Sequence, residues 1–146
     1  ARDGIYEAFM QGPAGSIEFF HGYTYSAHPL ACAAALATQD VYRDEGLLER
    51  AAGLSKQWED GLHSLKGLPD VIDLRNIGLM AAIELEPRPG APGARGFDAH
   101  VKAFFDEGLM LRYTGDILAM SPPLIVTPSQ IDEIFGKVRK VLQAIQ

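Results

Sequence analysis

The sequence predicts an α+β fold, a small and mostly antiparallel sheet with helices covering one face, preceded by a long helix. Three observations predict it. Apolar residues recur at helical spacing in two long stripes, one from Leu47 to Leu65 and one from Ile131 to Ile145. Between them, from residue 71, the period changes to two. The order along the chain is helices, strands, helix, strands, helix, with no internal repeat and no low-complexity tract.

Each element has its own local reason. Ile5, Ala8 and Phe9 keep helical spacing, so residues 3–11 read as a short helix that the run 12–16 (Gly-Pro-Ala-Gly-Ser) ends. Residues 17–20 read as a short extended piece. Pro29 suits the first turn of a helix, which places His28 or Ser26 at its cap, and Gly46 marks its end near residue 44. The alanine density of this long helix implies close approach to another backbone.

Leu47, Ala51, Leu54, Trp58, Leu62 and Leu65 form the next helical stripe, with Glu49, Arg50, Lys56, Glu59 and Asp60 on the other face. Residues 71–75 make a first strand. In a second, Leu79, Ala81, Ile83 and Leu85 share one face, opposite Met80, Ala82 and Glu84. The run 87–93 (Pro-Arg-Pro-Gly-Ala-Pro-Gly) reads as a rigid exposed connector with no capacity to pack. Phe97, Val101, Phe104 and Phe105 form a third helical stripe, stopped by Gly108. Residues 109–113 and 117–121 are strands around the turn Thr114-Gly115-Asp116. The last helix carries the strongest start signal, a Thr127-Pro128-Ser129-Gln130 capping box followed by Ile131, Ile134, Phe135, Val138, Leu142 and Ile145.

Composition narrows the function classes. At 146 residues, with 47% hydrophobic and 22% charged, the chain can bury one real core. A formal charge of −6 argues against nucleic acid, whose phosphates need a basic face. No apolar run reaches membrane-spanning length, and no signal peptide is evident. The single cysteine, Cys32, cannot form an internal disulfide and suits a reducing compartment, so the cytoplasm is expected.

Residue chemistry alone gives no catalytic centre. His21, His28, His63 and His100 form no ligand cluster, so no metal site is expected. Cys32 lies among alanines and reads as a small core residue. Ser16 and Ser121 lack a nucleophile elbow, and no glycine run matches a dinucleotide or phosphate loop. The loop His21-Gly22-Tyr23-Thr24-Tyr25-Ser26-Ala27-His28 delivers hydroxyls and amides to a helix start, an arrangement that holds anions. An ordinary capped loop accounts for the same residues.

The string HGYTYSAHPLACAAALA, His21 to Ala37, resembles the loop-to-helix junction of class III pyridoxal-phosphate-dependent aminotransferases, especially the ω-amino acid:pyruvate (β-alanine:pyruvate) group. The resemblance implies that this chain is the C-terminal part of a fold-type I enzyme. Residues 1–28 would belong to the large cofactor domain, and residues 29–146 to the small C-terminal domain with its connecting helix. It also implies a homodimer or higher oligomer in which Gly22, Tyr23 and Thr24 reach across to hold the cofactor phosphate of the neighbouring subunit. Arg112, in Leu109-Met110-Leu111-Arg112-Tyr113-Thr114-Gly115-Asp116, corresponds to the arginine that binds the substrate carboxylate and swings aside for uncharged groups. A surface pair with Asp116 is the plainer reading of the same residue.

Arg75-Asn76-Ile77-Gly78-Leu79-Met80 resembles the family's strand–glycine–strand segment, where Gly78 reads as structural and Arg75 as a sheet-edge ion pair, with a place at the active-site entrance as the alternative. The resemblance also implies a Schiff-base lysine. Lys56, Lys66, Lys102, Lys137 and Lys140 all fall on polar helix faces or ends, so this chain is expected to hold no catalytic residue and to be inactive alone. The implied partners are an amino donor, an ω-amino acid or amine, and a keto acid such as pyruvate, with no membrane or nucleic acid. Alternatives are another class III aminotransferase or aminomutase, acting on 4-aminobutyrate, ornithine or glutamate semialdehyde, or a non-catalytic binding or dimerisation module.

Overall fold

The computed structural model describes residues 2–15 and 21–145, so the extended piece expected at 17–20 lies outside the described residues. The chain divides into two compact units, Ala1–Gln39 and Asp40–Gln146. In the first, α1 spans Asp3–Phe9 with no buried residue, two residues shorter than its spacing suggested. Helix α2, Pro29–Asp44, has the expected limits and crosses the boundary between the units. None of its side chains is buried; Leu30 and Leu36 are exposed, and so is Cys32. The core position expected for Cys32 is therefore not found, because the alanine face that would enclose it is itself uncovered in this chain.

The second unit carries the sheet. Helix α3 (Leu47–His63) precedes strands β1 (Val71–Ile77) and β2 (Met80–Leu85). Helix α4 (Ala94–Phe105), strands β3 (Arg112–Thr114) and β4 (Ile117–Met120), and helix α5 (Pro128–Ala144) follow. The strand order is β1-β2-β4-β3 and every pairing is antiparallel.

Alternation in β2 and β4 sends Ala81, Ile83, Leu85, Leu118 and Met120 into the core. Helix α3 adds Leu47, Trp58 and Leu62; α5 adds Ile131, Phe135, Val138, Val141 and Leu142. The Trp58 and Phe135 rings meet edge to face at 4.8 Å. The sequence signals for the start of α5 and the end of α2 hold. Thr127 accepts from the Gln130 N–H while its own N–H donates to the Gln130 side chain, and Gly46 takes the left-handed backbone at φ 59°.

Two expectations fail in α4 and its approach. The buried face of α4 is Arg95, Gly96, Ala99 and Ala103, whereas Phe97, Phe104 and Phe105 are exposed. The helix lies too close to the β3–β4 turn for aromatic rings to fit between them. A Cβ on Gly96 would stand 2.2 Å from the Gly115 carbonyl oxygen. The connector 87–93 is exposed at Pro87, Pro89, Gly90, Ala91 and Pro92 as expected, yet it is anchored through Arg88. Arg88 pairs with Asp98 and donates to the Ile145 carbonyl at 3.1 Å, tying the connector to α4 and the end of α5.

The β3–β4 turn grips α4 in return. Asp116, nearly buried, accepts from the Gly93 N–H at 2.6 Å and the Gly96 N–H at 3.0 Å, a side-chain anchor at the helix start. Burial alone would raise its pKa, but the N–H groups of Gly93, Gly96 and Arg95, with the Arg95 charge, outweigh burial and hold the carboxyl below its ordinary value. A carboxyl lowered in the fold contributes stability above the unfolded-chain value of about 3.9, and that contribution is lost as pH falls through the folded value. Asp116→Asn is expected to cost about 1–2 kcal/mol near neutral pH. The gap from the parent protein should narrow between about pH 5 and pH 3, read as urea midpoints. A gap independent of pH would remove the carboxylate from the explanation.

Candidate functional site

The four-stranded sheet has a second face, opposite the helices. Register places Arg75, Ala82, Ala119 and Arg112 in one row across it, since Arg75 pairs with Ala82, Ala82 with Ala119, and Ala119 with Arg112. Two arginines thus close the row, and two alanines keep its middle low. Their situations differ. Arg75 is held by Asp73 at 2.5 Å and Glu84 at 2.7 Å, the sheet-edge pair that its sequence context suggested. Arg112 is exposed and makes no ion pair among the described residues. Asp116, the expected surface partner, is turned inward to Gly93 and Gly96.

Arg112 lines a pocket of about 670 Å³ together with Met80, His100, Met110, Ser121 and Pro122. The wall is mainly apolar, and a planar fork of donors at its edge suits a carboxylate with an apolar chain behind it. Helix α4 supplies two residues that sequence reasoning did not connect with Arg112. His100 Nδ1 lies 2.5 Å from the Leu111 carbonyl oxygen, and its ring meets that of Tyr113 at 5.0 Å. Phe97 meets Tyr113 from one helical turn away at 5.8 Å. The only signal in the sequence was the i, i+3 spacing of Phe97 and His100, which says nothing about a strand packed against them.

In the first unit, Ser26 N–H donates to the Tyr23 carbonyl at 2.9 Å, and His28 N–H to the Tyr25 carbonyl at 3.3 Å. The His28 carbonyl accepts from Cys32 N–H at 2.9 Å, so His28 is the residue that caps α2. Tyr25 and Ala27 both take left-handed backbone at φ 61°, a cost that non-glycine residues bear where surrounding structure or a ligand requires the shape. Gly22, Tyr23 and Thr24 are exposed, and the Thr24 hydroxyl has no hydrogen-bond partner among the described residues. His21 and Tyr23 rings meet edge to face at 4.6 Å.

No group of three or more His, Cys, Asp and Glu among the described residues is placed to hold a metal. The lysines stay on the surface. Lys56 pairs with Asp60, Lys102 with Asp106, Lys137 with Glu133 and Lys140 with Glu107, and Lys66 is exposed. No described helix is long and apolar enough to cross a membrane.

A family model described as Aminotransferase class-III matches residues 1–142. An omega-aminotransferase of Caulobacter vibrioides is 56% identical over 138 residues, 94% of this chain and 31% of the relative. The beta-alanine–pyruvate aminotransferase of Pseudomonas aeruginosa is 43% identical over 143 residues, 97% of this chain and 32% of that protein. Among solved structures, the omega transaminase from Pseudomonas jessenii in complex with PMP superposes with a TM-score of 0.76 at 32% identity, covering 86% of this chain and 29% of its own. The chain spans about a third of the length of the curated relatives it matches.

Proposed function

The chain belongs to the class III aminotransferase family, and from that premise we propose that it is the C-terminal part of an enzyme moving an amino group from an ω-amino acid or amine to pyruvate. The observation that carries the substrate class is Arg112, an exposed guanidinium without an ion partner among the described residues, at the edge of an apolar pocket. A permanently charged planar fork there recognises a carboxylate in two parallel hydrogen bonds. The names of the Caulobacter and Pseudomonas relatives support an ω-amino donor and pyruvate.

Pyridoxal phosphate is the implied cofactor, and the residues present fit one end of it. The Thr24 hydroxyl, without a hydrogen-bond partner among the described residues, and the exposed Gly22 and Tyr23 suit a phosphate, presented to a neighbouring subunit in a homodimer or higher oligomer. The other end finds no lysine in this chain in the buried setting that a covalent tether requires, so residues outside this chain would supply it. When bound, the cofactor supplies the electron sink for exchanging the amino group. Thr24 holds its phosphate, and Arg112 holds and orients the substrate carboxylate. In this reading residues 1–28 belong to the cofactor domain, residues 29–146 form the small domain, and the enzyme works in the cytoplasm.

Two measurements on the full-length protein test the reading. Transamination should be faster with β-alanine and pyruvate than with 4-aminobutyrate and 2-oxoglutarate; the reverse would move the protein to a different branch of the family. Thr24→Ala should weaken pyridoxal phosphate binding about tenfold, the worth of a hydrogen bond to a charged group. Unchanged cofactor affinity, followed by absorbance on dialysis, would remove Thr24 from the phosphate site.

A further inference from the structure

We propose that His100 is a positioning residue for Arg112, an inference that rests on the carboxylate role given to Arg112 above. Strand β3 is the sheet edge, and its ladder with β4 begins at Arg112 opposite Ala119. The Leu111 carbonyl lies just before that ladder, on a residue that is almost fully buried. A buried carbonyl needs a donor, and His100 Nδ1 provides it at 2.5 Å. A carbonyl oxygen carries no proton, so Nδ1 is the protonated nitrogen and donates.

The residue on the other side of Arg112 is held from the same helix. The Tyr113 ring lies against His100 at 5.0 Å and against Phe97 at 5.8 Å. Leu111 and Tyr113 are thus both fastened to α4, whereas Arg112 between them faces the opposite side of the sheet and makes no ion pair among the described residues. The backbone under the guanidinium is fixed while its head stays free. A side chain that must meet a carboxylate in two parallel hydrogen bonds depends on where its Cα is held. Loss of the His100 bond would let the start of β3 fray and spread the guanidinium over many positions.

Full-length holoenzyme variants test this with two donors, β-alanine and n-propylamine, in which a methyl group replaces the carboxylate. His100→Gln and His100→Phe, neither of which places a donor at the Nδ1 position, should raise KM for β-alanine about five- to tenfold, the worth of one buried hydrogen bond. Because His100 also lines the pocket, a change common to both donors reports its wall, and the positioning role is read from the excess: KM for n-propylamine should rise clearly less than KM for β-alanine. His100→Asn, whose amide N–H sits close to the Nδ1 position, should restore KM for β-alanine. Equal losses for both donors, or Asn and Gln variants that cannot be told apart, would overturn the proposal and leave His100 a packing residue. Arg112→Ala in the same series separates the two readings. If it leaves KM for β-alanine unchanged, the carboxylate role of Arg112 fails first. If it raises KM while the His100 variants do not, only the positioning role fails.

Discussion

Alanine in place of Arg112 is expected to raise KM for β-alanine about a hundredfold in the full-length enzyme, or about 2.7 kcal/mol, the worth of a charge-assisted bidentate pair. The guanidinium pairs with no carboxylate among the described residues, so its removal leaves no described acidic group unpaired. The loss should therefore appear in substrate recognition and not in folding. Turnover of n-propylamine and the thermal midpoint should hold. Arg112→Lys should recover only part of the affinity, because an ammonium keeps the charge and loses the fork. A full recovery with lysine would mean that the site reads charge alone. A fall in thermal midpoint matching the loss of affinity would place Arg112 in the fold.

The largest effect on stability is expected at Gly96. Its N–H donates to Asp116, and a Cβ there would meet the Gly115 carbonyl oxygen at 2.2 Å and the Asp116 Cα at 3.0 Å. Both obstacles are backbone and cannot rotate away. Gly96→Ala must lift α4 from the turn, loosening the burial of Ala99 and Ala103 as it goes. The expected cost is about 3 kcal/mol or more, at the upper end of overpacking. Gly136→Ala is the matched control. Gly136 lies in α5, and a Cβ added to it would meet nothing within 4 Å, so the substitution should stabilise. The gain in helix propensity is up to about 1 kcal/mol. Urea midpoints of the two variants should move in opposite directions; a common direction would show that helix propensity and not contact with Gly115 governs Gly96.

The sequence was most legible where one force acted alone. The stripes of α3 and α5, the alternation of β2 and the Thr127 box are each set by hydrophobic period or by a local cap. The reading of α4 failed because periodicity ranks residues by hydrophobicity, whereas the gap beside the Gly115 turn admits only small ones. The small positions 96, 99 and 103 do have helical spacing, and three aromatics outweighed them. Asp116 shows the same limit. Its place between Gly115 and a strand suggested a surface acid beside Arg112, and its real partners, Gly93 and Gly96, lie far back along the chain. Gly22, Tyr23, Thr24 and Arg112 came from resemblance to known enzymes and not from local physics. His100 was visible only once α4 and β3 stood side by side.

The row Arg75–Ala82–Ala119–Arg112 makes the length of one short turn a matter of parity. Only Gly115 and Asp116 separate the paired residues Thr114 and Ile117. Adding or removing a single residue there would shift β3 by one position against β4, and each of its side chains would change face. Arg112 would then point into the helices, and Leu111 or Tyr113 would stand on the open face in its place. Insertions of two residues preserve the facing of Arg112, whereas insertions of one reverse it. A two-residue turn therefore sets which side of the sheet carries Arg112.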